Sequence, residues 1–331
     1  QLIGDADSTK VSKGVVMLIH RIFQVVTVID CVVGMMASGF IVSVGSTDWM
    51  RRRKLPACDR ILICLCSSRL LLQGTILHAT LFPELTQWNV VRGHSVLLVL
   101  ASTACLWFAA CLSVFYCLKI ATFTQPCFLL MKLRISAMVP QLLLGSALIS
   151  LVSSLPFLWV DYSSHLCNST RSHLKNISFE SPTGNNISYF KGFVMYVTWA
   201  VVPLLFFIAS STLLIASLWK HIKQMRQNAT GFKDSKTEAH ITAIKSLISF
   251  LMLYICSFIA EILLGIPSCQ AMSRWKHNIC SLLIAVCPSV HSILLVLLNV
   301  RLKLAVKMHR MLLYFSMYKT LLFHKNHYTK N

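Results

Sequence analysis

Seven apolar runs, at 14–44, 58–80, 93–120, 137–160, 190–219, 241–265 and 278–300, are each about as long as a lipid hydrocarbon core is thick. A helix needs about 20 apolar residues to cross that core. No water is present there to satisfy a backbone N–H or C=O, so a spanning segment must bond itself as a helix or close into a barrel. Runs this long, without two-residue alternation, are helices. The predicted fold is therefore an all-α, seven-transmembrane helix bundle.

Four of the runs contain stretches with no Asp, Glu, Lys or Arg: Ser95–Leu118, Ile135–Val160, Gly192–Trp219 and Asn278–Val300. The other three carry one intramembrane charge each, Asp30, Arg69 and Glu261; Lys245 sits near the inner end of the sixth. Charged residues are 13 % of the chain and mean hydropathy is +0.67, whereas a soluble domain is about 25 % charged. That composition excludes a soluble enzyme, a secreted disulfide scaffold and a disordered chain. The first run lacks a small-residue cleavage site and is read as a retained helix rather than a signal peptide.

The formal net charge of +20 would suit a nucleic-acid binder, but the charge lies in short blocks between apolar runs. Of the 31 Lys and Arg residues, 21 fall on one side if the amino terminus is outside: Arg51–Lys54, Arg60, Lys119, Lys132, Arg134, the Lys220–Lys245 group, and seven from Arg301 to Lys330. Nine fall on the other side, and Arg69 lies within the membrane. The positive-inside rule gives an outside amino terminus and a cytoplasmic carboxyl terminus. Nucleic acid is not an expected partner. The predicted organisation is an extracellular 1–13, a seven-helix domain over 14–300 and a cytoplasmic 301–331.

Asn168, Asn176 and Asn186 are followed by x-Ser/Thr, all between spans four and five; that loop is predicted to be lumenal and glycosylated. Most of the 13 Cys lie in apolar runs, where Cys packs as a small hydrophobe. Cys64 and Cys66 form a C-x-C inside a helix, and zinc spacing is not seen. Cys167, Cys269 and Cys280 lie in or near outer loops, with no pairing assigned. Nucleotide, metalloprotease and hydrolase motifs are not found, so neither a cofactor nor an enzyme activity is expected.

An Arg at bilayer depth costs at least about 2.5–3.5 kcal/mol, so Arg69 must be paired or wetted. Ser38 and Ser289 are candidate acceptors in a polar clasp joining spans one, two and seven; Asp30 lies about two turns further out. Glu261 shares a helix face with Ser257, four residues earlier. Either it lines a ligand cavity or it reaches the outer interface. Trp107 lies midway along span three with Cys111 one turn below. Pro140, Pro156, Pro203 and Pro288 can kink or end their helices. After span seven, RLKLAVKMHRMLLYF at 301–315 reads as a basic amphipathic helix on the anionic inner leaflet.

These strings resemble the bitter taste receptors, the taste receptor type 2 family of G-protein-coupled receptors, over roughly residues 34–315. The residues that carry the resemblance are ASGFIVSVGSTDWMRRRKLPACDRIL and SSRL in spans one and two, and CLSVFYCLKIATFTQPCFLLMKLRIS in span three and its loop. LLIASLWKHIKQM, HITAIKSLISFLMLY and PSVHSILLVLLNVRLK follow in spans five to seven. The resemblance implies a chemoreceptor for small, mostly apolar molecules in an outward-facing pocket, coupled to a gustducin-like heterotrimeric G protein at the plasma membrane. It implies ligand contacts at Trp107, Cys111, Ser257, Glu261 and Ser281. It places Tyr116, Lys119, Arg134, His221, Met225 and His240 at the G-protein face, and equates Arg69 with the family's span-two Arg. Three positions depart from the family pattern: Ser38 for Asn, Cys111 for Asn, and Ser257 for the span-six Tyr. A vomeronasal-type receptor and a seven-helix transporter are the alternatives.

Overall fold

The computed structural model describes residues 2–82, 88–121, 126–158, 183–228, 235–265, 274–299, 302–308 and 311, without some of the side chains, notably those of 2–13, 183–193 and 228–240. All regular structure among them is helical: α1 (Leu2–Arg52), α2 (Ala57–Leu81), α3 (Trp88–Ile120), α4 (Pro126–Ser154), α5 (Thr183–Asn228), α6 (Ser235–Gly265) and α7 (Arg274–Leu298). A single 3₁₀ turn, Leu155–Leu158, ends α4 at Pro156. Each helix contains a segment long and apolar enough to cross a membrane. The expected spans are all present, with shifted edges. The fourth apolar stretch starts at Phe128 rather than 137, because Pro126, an acceptable first-turn residue, opens the helix early. The stretch 2–13 is continuous with α1.

Local chemistry sets the ends. Arg53 follows α1 at φ 54°, the left-handed position that closes a helix, and its N–H returns to the Trp49 carbonyl at 2.9 Å. Pro56 then takes an extended conformation and launches α2, so four residues reverse the chain beside the Arg51–Lys54 block. After α7, the Asn299 side chain accepts from the Leu302 N–H at 3.4 Å and starts the next helical segment, 302–308. Leu302 is buried in the bundle, while Lys303, Leu304, Lys307 and Met308 are exposed. The rest of the expected amphipathic helix, apart from Met311, lies outside the described residues.

Helix α3 is the central element, packed on α2, α4 and α5; α1 lies against α2 and α7, and α6 against α5 and α7. Its inner half joins Ile61, Leu65, Phe108, Leu112, Ile135 and Val139 in one apolar cluster. Leu106, Phe157, Tyr196, Leu204 and Phe258 form a second around α5 and α6. Cys117, Leu214, Leu218, Ile222 and Ile244 form a third at the inner end. Small hydroxyls let helices approach closely: Ser113 on α3 bonds Ser210 and Ser211 on α5 at 2.8 and 2.9 Å. Leu, Ile and Val side chains such as Leu133, Leu144 and Leu205 cover the outside, where lipid replaces water as the solvent.

Candidate functional site

The intramembrane Arg organises the middle of the bundle. Arg69 is 3 % exposed and donates to Ser292 Oγ at 3.1 Å and to His291 Nδ1. A guanidinium has only donors, so the His291 lone pair is on Nδ1 and its proton on Nε2. Ser292 in turn meets Ser38 Oγ at 2.9 Å and its own helix at the Pro288 carbonyl. Ser38 therefore reaches Arg69 through Ser292, one bond removed from the direct contact expected. Ser289 is also not the acceptor for Arg69: it takes the Gln73 Nε2 proton at 2.8 Å and donates to Asp30 Oδ2 at 2.9 Å. The reason is register. Ser289 sits almost a turn outside Ser292 on α7, level with Gln73, which is a turn outside Arg69 on α2. The clasp across α1, α2 and α7 is thus two stacked polar layers, Gln73–Ser289–Asp30 above and Arg69–His291–Ser292–Ser38 below.

Gly34 makes the upper layer possible. A Cβ there would lie 2.9 Å from Ser289 Cβ and would overlap both Ser289 Oγ and Gln73 Nε2. Gln73 is fully buried, and its Oε1 has no partner among the described residues.

Above Arg69 and His291 is a small outer cavity of about 40 Å³, room for one or two waters. Its walls come from α2, α3, α6 and α7 and include Ser102, Cys105, Tyr254, Ser257, Glu261 and Cys287. Glu261 is the carboxylate of this wall. Tyr196 Oη on α5 donates to it at 2.6 Å and Ser102 Oγ on α3 at 3.2 Å, and those two hydroxyls lie 3.2 Å apart. Three helices are thereby tied to one carboxylate. Tyr254 also lines the cavity, and its hydroxyl is buried without a hydrogen-bond partner among the described residues. Its ring packs on Phe207 at 4.5 Å between centroids.

Of the expected ligand contacts, Ser257 and Glu261 line this cavity; Trp107, Cys111 and Ser281 do not. Helical geometry explains the two on α3. Ser102, Cys105, Leu106 and Ala109 face the cavity, and at about 100° per residue Trp107 and Cys111 point roughly 140–180° away from Ser102. Cys111 Sγ instead meets Ser146 Oγ on α4 at 3.4 Å. Ser281 is one turn outside the lining residue Ile284. Three residues that matter here were not anticipated: Tyr196, Ser102 and Tyr254. Tyr254, one turn below Ser257, supplies a half-buried span-six aromatic.

A second, larger cavity of about 500 Å³ opens from the inner half between α3, α5, α6 and α7. Its lining is mostly apolar, including Leu112, Leu214, Leu247, Phe250 and Leu295, with Tyr116, Ser211, Ser246 and Asn299 as polar points. Ser246 Oγ has no partner. His291 borders both cavities, and its ring lies 3.7 Å from that of Phe250. Ala109 on α3 lines both as well, so His291 and Ala109 lie between the carboxylate-lined outer space and the apolar inner one.

Of the expected G-protein contacts, Tyr116 lines the inner cavity and approaches Cys58 Sγ at 3.4 Å. Lys119, Arg134 and His221 are exposed on α3, α4 and α5. Met225 and His240 lie on α5 and α6, but their side chains are outside the described residues. So are Asn168, Asn176, Cys167 and Cys269, and the side chain of Asn186, which falls within α5. Cys280 is buried with a free thiol. No group of three metal-ligating side chains occurs among the described residues.

Comparison with known proteins accounts for nearly the whole chain. The taste receptor protein (TAS2R) family model matches residues 15–315. Taste receptor type 2 member 40 of Gallus gallus is 38 % identical over 282 residues, 84 % of this chain and 90 % of that protein. Member 41 of Pan paniscus is 36 % identical over 277 residues, 82 % and 89 % respectively. Member 9 of Macaca mulatta is 33 % identical over 292 residues, 87 % and 92 %.

Proposed function

The chain belongs to the taste receptor type 2 family, and from that premise we propose how its two cavities divide the work of a receptor. The protein is a multi-pass plasma-membrane G-protein-coupled chemoreceptor of the bitter taste type, and not an enzyme. The ligands are small, largely apolar molecules, some carrying a protonated amine. They enter from outside and are anchored at Glu261. The observation that carries this reading is the Glu261 carboxylate on the wall of the outer cavity, held by Tyr196 and Ser102, with the unpartnered Tyr254 hydroxyl beside it.

The chemistry is direct. A ligand ammonium replaces the Tyr196 donor on the carboxylate, because a cationic donor adds an ion pair that the neutral phenol lacks. An aromatic ligand face packs on Tyr254 and Phe258, and the Tyr254 hydroxyl gains a partner. At about 40 Å³ the outer cavity is the contracted form of the site; ligand entry requires Tyr196 and the outer ends of α6 and α7 to separate. Trp107 and Cys111 take no part in this reading.

The inner cavity is the complementary half. It is mostly apolar, which suits the apolar face of the amphipathic terminal helix of a heterotrimeric G protein. Ligand affects coupling only through its different affinity for the two states of the bundle. His291, braced by Arg69 and tilted against Phe250, lies with Ala109 where the two cavities meet.

The test is Glu261→Gln, measured with a cationic and a neutral agonist in cells expressing a promiscuous G protein. The cationic agonist loses at least about tenfold in potency, as one charge-assisted bond is worth about 1.5–3 kcal/mol. The neutral agonist changes by less than threefold. Equal losses for both would make Glu261 a structural residue.

A further inference from the structure

At the outer ends of α2 and α3, away from both cavities, two histidines face one another. The rings of His78 and His94 are 6.0 Å apart between centroids and inclined by only 29°. His94 Nε2 bonds the Thr75 carbonyl at 2.8 Å. A carbonyl only accepts, so Nε2 carries the proton and Nδ1 keeps its lone pair. His78 is exposed, rests against Phe82 at 5.4 Å, and makes no hydrogen bond through its ring among the described residues.

We propose that His78 and His94 form a two-imidazole site for a divalent transition-metal cation, zinc(II) or copper(II), that links the outer ends of α2 and α3. Three observations support it. First, with metal–nitrogen bonds of about 2.0–2.1 Å, two imidazoles on one tetrahedral ion have centroids about 5–6 Å apart, close to the separation here, and the exposed His78 ring has only to turn to bring a nitrogen onto the ion. Second, a ligating histidine almost always donates its other N–H to a carbonyl or carboxylate, which fixes the tautomer and aims the lone pair; the Thr75 carbonyl does this for His94. Third, the exposed His78 gives the ion access from the outer aqueous phase. Imidazole nitrogen suits zinc and copper but not magnesium or calcium, which prefer oxygen. Waters complete the coordination shell. Another outer imidazole, His20, is engaged elsewhere: its Nδ1 lies 3.3 Å from Asn278 Oδ1.

The site is independent of the ligand reading above, and its test does not involve signalling. Full-length receptor in detergent is titrated with zinc chloride while unfolding temperature is followed by intrinsic fluorescence, with magnesium chloride as the comparison. Zinc raises the unfolding temperature saturably and magnesium does not. His78→Ala weakens the zinc midpoint at least tenfold, His94→Ala does the same, the double variant adds nothing further, and His20→Ala matches the parent. His78 is exposed, so His78→Ala tests the site even if His94→Ala, which also loses the Thr75 bond, fails to fold. An unchanged zinc midpoint in His78→Ala, dependence on His20 instead, or no zinc response at all overturns the proposal.

Discussion

Gly34→Ala and Gly39→Ala make the same chemical change five residues apart on α1, and the polar clasp requires them to have opposite signs. In a helix interior Ala is favoured over Gly by about 0.5–1 kcal/mol. At Gly39 a Cβ would meet nothing within 4 Å, so that gain is retained. At Gly34 the Cβ would occupy space held by Gln73 Nε2 and Ser289 Oγ. One of them must turn away, which breaks the 2.8 Å Gln73–Ser289 bond. The bond itself is worth about 0.5–1.5 kcal/mol, and leaving the Gln73 amide donor buried without a partner costs about 1–3 kcal/mol more. After subtracting the propensity gain, Gly34→Ala is destabilised by about 0.5–4 kcal/mol. At about 2–4 °C per kcal/mol, thermal unfolding of the purified receptor falls by roughly 1–16 °C in Gly34→Ala and rises by roughly 1–4 °C in Gly39→Ala. Equal shifts of one sign would show that the two stacked polar layers do not hold α1, α2 and α7 together.

Arg69→Ala removes both donors from the lower layer and leaves His291 Nδ1 unpaired, so surface-labelled receptor decreases sharply; Arg69→Lys recovers only part of it, since an ammonium cannot bridge His291 and Ser292 as a guanidinium fork does. Normal surface levels in Arg69→Ala would contradict this. Trp107→Ala, on the α3 face turned from the cavity, lowers thermal stability by about 3–5 kcal/mol or less for a half-buried ring and leaves agonist potency within threefold; a tenfold potency loss at unchanged expression would return Trp107 to the pocket.

The architecture was legible because lipid permits so few backbone solutions. Seven apolar runs separated by basic blocks leave a helix bundle, and the Arg53–Pro56 corner and the Asn299 cap are ordinary local chemistry. The site was only half legible. Glu261 and Arg69 stood out because a charge inside a membrane must be paired. Their partners did not, since Tyr196, Ser102, Ser292 and Gln73 are unremarkable residues that become partners only through the relative rotation of neighbouring helices. Trp107 and Cys111 illustrate the same limit from the other side. Distance from the FYCLKI string fixes their depth in the membrane, but the cavity-facing side of α3 is set by where α6 and α7 lie. Ser38 and Ser289 lie on the expected helices, but Ser38 reaches Arg69 only through Ser292 and Ser289 belongs to the layer above, because depth estimated by counting residues is coarser than one helical turn.

The account rests on the outer cavity as the place where ligand binds and His291, with Ala109, as the wall between it and the inner chamber. The most direct test is an electron cryomicroscopy structure of the receptor with a cationic agonist and a G protein. The expected map has ligand density within hydrogen-bond reach of Glu261 and above His291, a widened gap between Tyr196 and α6, and the terminal helix of the G protein in the inner chamber. Agonist density confined to the inner chamber, with Tyr196 still on Glu261, would contradict it.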